Sequence, residues 1–479
     1  MADERPGHSM CCWAEFHFDG RLEQEPFERA VQLARARHRL SRALVQGEGK
    51  QLVWVPTDQR PPIYWNHAHP GRESVQFPQL DIRQMPGVRC WVNVESEEPD
   101  KPESIGDSTD KSVSRSRSTL RFEFHHACFD AIGGMGMIED LLTIYDALIH
   151  GREPKLRPID ETRLEQRSKV TVSVPWQVRL YRALLDQKKS FRLLLTKTIS
   201  LPGPNLTNPW EDRFVVRHLP EEVLVSLRYA ASDAGATLND LLLVEFFCLL
   251  RDWILSGTGA APPGFCRLAQ GATAEPVKPN DHVRVLTPMN LRDRDDLSLE
   301  AANKIGFSFL SRPLADLKAA DTTDWQAFIT ELHLEIEQAQ KLRLPAKFLA
   351  KLAIAHNFAG WFQRLFSESR CWGTAVMTQL GDPTRRFYNR FPRENGRLCI
   401  GDLVLTDFVS CAPLRPMTHA ILSTNAYGNE LTLSLRCDQT RVDRETAEFL
   451  LDEFVGRLKA RAGQRPETSR EAAIPRKPR

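Results

Sequence analysis

Phe122–Gly134 reads F-E-F-H-H-A-C-F-D-A-I-G-G, an alternating apolar pattern that runs into two adjacent histidines and then an aspartate. Over Thr119–His126, Leu120, Phe122 and Phe124 alternate with Thr119, Arg121, Glu123 and His125, the period of two that marks a strand with one buried face. By that parity His126 falls on the apolar side and His125 on the polar side. After Asp130 come Gly133, Gly134 and Gly136. Met135, Ile138, Leu141, Leu142, Tyr145 and Leu148 follow a helical spacing that runs to Gly151, a C-terminal stop. The histidines therefore stand at a strand-to-helix junction, where catalytic groups are often presented. An imidazole held at a strand end, with a carboxylate one short turn away, keeps one ring nitrogen free to act as a general base. The structural alternatives are a satisfied core histidine at His126 and a helix cap at Asp130.

Outward from this stretch, a strand is expected near Trp13–Phe18, a helix over Pro26–Leu44, and strands at Gln51–Val55 and Cys90–Val94. The polar segment 95–118 reads as a disordered insertion between two strands of one sheet. Gly106-Asp107-Ser108 within it matches a carrier-attachment or lipase serine only by chance, since no helix or strand supports it. Val172–Ser200 reads as a basic amphipathic helix linking two halves; docking on a membrane surface or an acidic partner is its alternative. Pro202–Pro209 interrupts the pattern. Arg213–Leu219 then reads as a strand, Glu221–Ala234 as a helix stopped by Gly235, and Leu238–Ser256 as a buried helix. The chain thus divides into 1–175, a linker helix and loop over 176–210, a second half over 211–462, and a polar tail over 463–479.

The 479 residues, 42% hydrophobic and 26% charged, suffice for more than one core. A formal charge of +2 points to no nucleic-acid partner. The start, Met1-Ala2-Asp3-Glu4-Arg5, lacks the apolar stretch of a secretory signal, and the most hydrophobic run, Leu241–Leu255, carries Glu245, Arg251 and Asp252, so no integral membrane segment is expected. The ten cysteines contain no Cys-x-x-Cys pair, which fits a reducing cytoplasm. Cys11-Cys12 reads as a strand start rather than a soft-metal site, and no ligand cluster calls for a metal.

His125–Ala131, H-H-A-C-F-D-A, resembles the H-H-x-x-x-D-G motif of the CoA-dependent acyltransferase superfamily. That superfamily includes chloramphenicol acetyltransferase, condensation domains of nonribosomal peptide synthetases, alcohol acetyltransferases and plant BAHD enzymes. Thr237-Leu238-Asn239-Asp240 is similar to a helix start of the condensation and wax-ester branches. Pro288-Met289-Asn290-Leu291-Arg292, closing the strand His282–Leu286, resembles the segment whose arginine pairs with the motif aspartate. Thr378-Gln379-Leu380-Gly381 takes the place of a Ser/Thr-Asn-x-Gly turn, and Pro413–Pro416 with the strand Leu431–Arg436 resembles the closing sheet. The likeness runs from Asp19-Gly20 to about Leu458. Two departures stand out. Ala131 replaces the motif glycine, keeping the amide donor while disfavouring positive φ, so that Gly133 or a shifted turn would have to supply any close backbone approach. Asp407-Phe408-Val409-Ser410 is only a partial echo of an Asp-Phe-Gly-Trp-Gly motif.

The resemblance implies an α/β (α+β) fold of two chloramphenicol acetyltransferase-like subdomains, each a mixed, largely antiparallel sheet with helices, meeting at a central tunnel. It implies His126 as general base, Asp130 and Arg292 as the ion pair that holds the loop, and amides after His126 as oxyanion donors. Candidates for substrate binding are His125, Ala131, Gly133, Thr378 and Gln379. The co-substrate would be acyl-CoA or a phosphopantetheinyl carrier, with no permanently bound cofactor and no metal. The acceptor would be a small-molecule or lipid hydroxyl or amine, and an acyl carrier protein would act in trans. A non-catalytic binding relative and a thioester hydrolase or cyclase on the same fold are the alternatives.

Overall fold

The computed structural model describes residues 8–66, 79–96, 116–167, 196–207, 210, 214–258, 261–269, 276–319, 325–356 and 371–463. In the first part of the chain lie β1 (Cys11–Asp19), β2 (Ala43–Gln46), β3 (Val53–Pro56), β4 (Ile63–Trp65), β5 (Val88–Ser96) and β6 (Ser116–His125), with helix α1 (Gln24–Ala36) after β1 and α2 (Ala131–Ile149) after β6. The second part carries β7 (Val215–Leu219), β8 (His282–Asn290), β9 (Ile305–Pro313), β10 (Ala375–Gly381), β11 (Arg393–Glu394), β12 (Arg397–Ile400), β13 (Leu403–Cys411), β14 (Ala420–Tyr427) and β15 (Glu430–Cys437).

Two large sheets result, in the orders β11-β12-β13-β1-β6-β5-β4 and β7-β15-β14-β10-β8-β9. In the first, β6 lies antiparallel between β1 and β5, and Leu120, Phe122 and Phe124 are buried as the alternation predicts. They share a core with Phe16, Phe27 of α1 and Leu141 of α2. The second sheet is mixed: β10 runs parallel to β8 and β14, while β14 with β15 and β8 with β9 are antiparallel. Its core surrounds the helix Leu238–Ser256, which opens with a capping box in which Thr237 and Asp240 satisfy each other's main-chain N–H. Glu245 stays buried there because Arg461 and Trp325 Nε1 bond it at 2.9 and 3.1 Å.

The sheets do not follow the chain division at 176–210. β11–β13, in the second half by sequence, complete the first sheet, with β13 antiparallel to β1 from Trp13↔Cys411 to Asp19↔Val404. Asn425 of β14 then ties the sheets together, its Nδ2 donating to the Phe408 carbonyl at 2.6 Å.

Several expected elements differ. The helix expected over Pro26–Leu44 ends at Ala36 and gives way to a 3-10 turn over Arg39–Arg42 and to β2. Ser41 Oγ donates to the His38 carbonyl at 2.6 Å, and His38 Nδ1 accepts from the Ala301 N–H at 3.0 Å, side-chain bonds that compete with a continuing helix. Thr378–Gly381 belongs to β10 rather than to a free turn, with a register irregularity and positive φ at Gly381. Most of the expected insertion, 97–115, and most of the expected linker helix, 168–195, lie outside the described residues. Within the linker expectation Thr198 is not helical and bridges to His282. Among the described residues no helix is long and apolar enough to cross a membrane.

Candidate active site

β6 stops at His125 because the following main chain folds back on it: Cys128 and Phe129 both donate their N–H to the His125 carbonyl, at 2.9 and 3.2 Å. The Ala127 N–H donates to His125 Nδ1 at 3.1 Å. His125 is completely buried and does not line the cavity, which corrects the expectation that it binds substrate; its ring braces the turn. The same bonds correct a second expectation. The amides after His126 are already engaged inside the turn and are not available to an oxyanion.

His126 faces a cavity of about 1340 Å³ walled by both halves of the molecule, including Cys12 and Phe124 on one side and Phe307, Val376 and Thr378 on the other. Its main-chain N–H donates to Met10 at 2.7 Å. Asn303 Nδ2 donates to the His126 carbonyl at 2.6 Å and lies 3.0 Å from ring Nδ1. Nε2 has no hydrogen-bond partner among the described residues. Burial lowers the ring's pKa below its usual value of 6.5, against the opposing pull of Asp130 and of a bond to its own carbonyl. The ring is therefore neutral near pH 7, the state a general base requires.

Asp130 is the reverse case, with both oxygens occupied. Oδ1 caps α2 by accepting from the Gly133 N–H at 2.7 Å, and also accepts from Arg292 Nη2 at 3.0 Å. Oδ2 accepts from Arg292 Nη1 and from the Lys304 N–H, both at 2.7 Å. Arg292 Nη2 also bonds the Ala302 carbonyl at 2.8 Å, so the aspartate and the arginine pin the 292–304 loop beneath the turn and set Asn303 against His126.

Gly133 does not line the cavity either. It faces Ala302, where an added Cβ would collide with the carbonyl oxygen and lie 2.8 Å from the nitrogen, so its role is close packing of α2 on that loop. Ala131 is the first residue of α2, has no positive φ and does line the cavity, as do Asp130, Arg292, Thr378 and Gln379. The N–H groups of Ala131 and Ile132 have no partner among the described residues, so the positive end of α2 opens beside His126. Asn303 has no motif around it and escapes sequence reading; only its packing against His126 marks it. Cys12 shares the wall, but burial pushes its thiol up to about 12, which leaves no thiolate nucleophile near neutral pH. No cluster of metal-ligating groups occurs among the described residues.

No protein-family model matches the chain, and no curated protein sequence is similar to it. Solved structures are similar over nearly its whole length. One is SgcC5 of Streptomyces globisporus, at TM-score 0.61 and 14% identity, covering 97% of this chain and 95% of that one. The chain has the condensation-domain fold. The starter condensation domain of rhizomide synthetase RzmA, solved with C8-CoA, aligns at TM-score 0.62 and 12% identity over 95% of this chain and 91% of that one. The trichothecene 15-O-acetyltransferase TRI3 of Fusarium sporotrichioides gives 0.62 and 10% over 95% and 92%. Identities this low establish the condensation fold and leave the reaction to be argued from the site.

Proposed function

We propose that the protein is an acyltransferase that moves an acyl group from a thioester, borne by coenzyme A or by the phosphopantetheine of an acyl carrier protein in trans, to a hydroxyl or amine of a small-molecule or lipid acceptor. The observation that carries this reading is a neutral imidazole whose unpartnered Nε2 opens on a cavity built by both sheets. The ring's bond to the His126 carbonyl, which can only accept, favours a proton on Nδ1 and a lone pair on Nε2, with the Asn303 Nδ2 hydrogen given to that carbonyl at 2.6 Å and not to the ring. Nε2 takes the acceptor's proton as the oxygen or nitrogen attacks the thioester carbonyl. The tetrahedral oxyanion then collapses, the C–S bond breaks, and the thiolate receives that proton from the imidazolium. The free N–H groups of Ala131 and Ile132 offer the oxyanion donors that the engaged amides after His126 do not. Phe307, Phe309, Phe348 and Val376 give one wall an apolar surface suited to an acyl chain or the body of an apolar acceptor. The ten cysteines, all free, support a reducing cytoplasm as the place of action. Because the helical φ of Ala131 carries no strain, the departure from the motif glycine gives little support to a non-catalytic relative.

The test is free-thiol release from acyl-CoA and acyl-carrier donors of increasing chain length, with and without mixed alcohols and amines, for the wild type and a folded His126→Ala variant. Acceptor-dependent release that vanishes in the variant supports the transferase. Acceptor-independent, His126-dependent release turns the reading toward a hydrolase or cyclase. Equal release from both proteins overturns the base assignment, and no release from any donor overturns the transferase reading.

A further inference from the structure

The cavity holds a second oriented imidazole that the proposed reaction does not use. His333 lies on the helix Trp325–Lys341, whose Leu332 and Ile336 are buried in the second core, and its ring reaches the cavity wall. Its Nδ1 is 2.8 Å from Oδ2 of Asp240, which is 1% exposed. That same oxygen accepts from the Thr237 main-chain N–H at 2.8 Å and from the Thr237 hydroxyl at 2.6 Å, so it is fixed as an acceptor by the capping box. A capping carboxylate has only lone pairs to offer. A proton therefore sits on His333 Nδ1, and Nε2 has no hydrogen-bond partner among the described residues. Thr237, Asn239, Glu337 and Gln340 line the cavity as well, so its polar surface extends beyond His126 and onto the second half.

We propose that the His333–Asp240 pair is a recognition point for a hydrogen-bond donor on a substrate, a hydroxyl or an N–H other than the one acylated. This deepens the proposed function and rests on it. With Nδ1 committed to the carboxylate, a ring carrying that one proton presents an acceptor at Nε2, whose complement is a donor group and not a phosphate or carboxylate. His333 binds and Asp240 positions. Such a group occurs on a diol or amino-alcohol acceptor, and also on the hydroxyl- and amide-bearing pantetheine arm of a donor.

The experiment is direct binding to the full chain by calorimetry, with styrene glycol as an acceptor-like probe, pantetheine as a donor-like probe, and ethylbenzene as a probe without a hydroxyl. The proteins compared are wild type, His333→Ala and His333→Phe, the last keeping a ring without its nitrogens. About a tenfold weakening of styrene glycol or of pantetheine in both variants, with ethylbenzene unchanged, is expected, and the probe affected tells acceptor from donor. Overturning results are no weakening of either hydroxyl-bearing probe, an equal weakening of ethylbenzene, or no binding of either hydroxyl-bearing probe by the wild type. Binding needs no turnover, so failure of acyl transfer would show separately, as absent thiol release from the wild type.

Discussion

His126 and Asp130 stand at the two ends of one short turn, yet their surroundings are opposite. Every oxygen lone-pair direction that matters at Asp130 is met: two bonds from Arg292, one from the Gly133 N–H and one from the Lys304 N–H. His126 is braced only on one side of its ring, by Asn303 and its own carbonyl, and presents Nε2 to the cavity. A saturated ionic group is committed to structure, whereas an oriented group with one open valence is available for chemistry. Adjacent members of one motif thus divide into a clamp and a base.

Substitution at each end measures that division. The largest effect is expected at the open end. His126→Ala should lower acceptor-dependent thiol release about 10²–10⁴-fold, the usual worth of a positioned base, while its unfolding midpoint in urea stays close to wild type. Because burial depresses the His126 pKa, the base stays unprotonated to lower pH, and the acid limb of kcat/KM should have its midpoint below 6.5. A midpoint at or above that value would assign the limb to another group. At the closed end Asp130→Ala strands the Arg292 charge and should cost about 3–5 kcal/mol in denaturant unfolding. Loss of rate in this variant without loss of stability would break the contrast and bring Asp130 into the chemistry. Gly133→Ala should cost about 1–3 kcal/mol by overpacking α2 against Ala302, with activity falling only as the loop shifts Asn303. The smallest change is expected for Ala131→Gly, which restores the motif glycine. Since this position has no positive φ, stability should fall by less than about 1 kcal/mol and thiol release should remain within a few-fold of wild type.

Much of this turn was legible from residue order because its parts are local. The period of two over Thr119–His126 placed the end of β6, the glycines and apolar spacing after Asp130 placed α2, and the resemblance of His125–Ala131 led to a fold that the solved structures share. The helix cap that residue order offers for Asp130 is present together with the Arg292 pair. Parity put His125 on the polar side, yet the residue is completely buried and spends Nδ1 on the Ala127 N–H. The roles of His125, Gly133 and the amides after His126 depend on the turn's hydrogen bonds and packing, which residue order does not carry.

What the sequence by itself determined is therefore what hydrophobic period, capping and turn chemistry encode within a dozen or so residues: the strand ending at His125, the helix opening at Ala131, and the capped, buried helix beginning at Leu238. Only the tertiary structure decided which distant groups meet. It carried β13 into the first sheet, set Asn303 against His126, and placed His333 beside Asp240, across 177 and 93 residues of chain for the latter two. Side-chain periodicity fixes which face of an element is buried, but it carries no information about which polar group from elsewhere will satisfy the one left at its end. That choice is made when two cores close around a shared cavity and each buried donor and acceptor must find a partner.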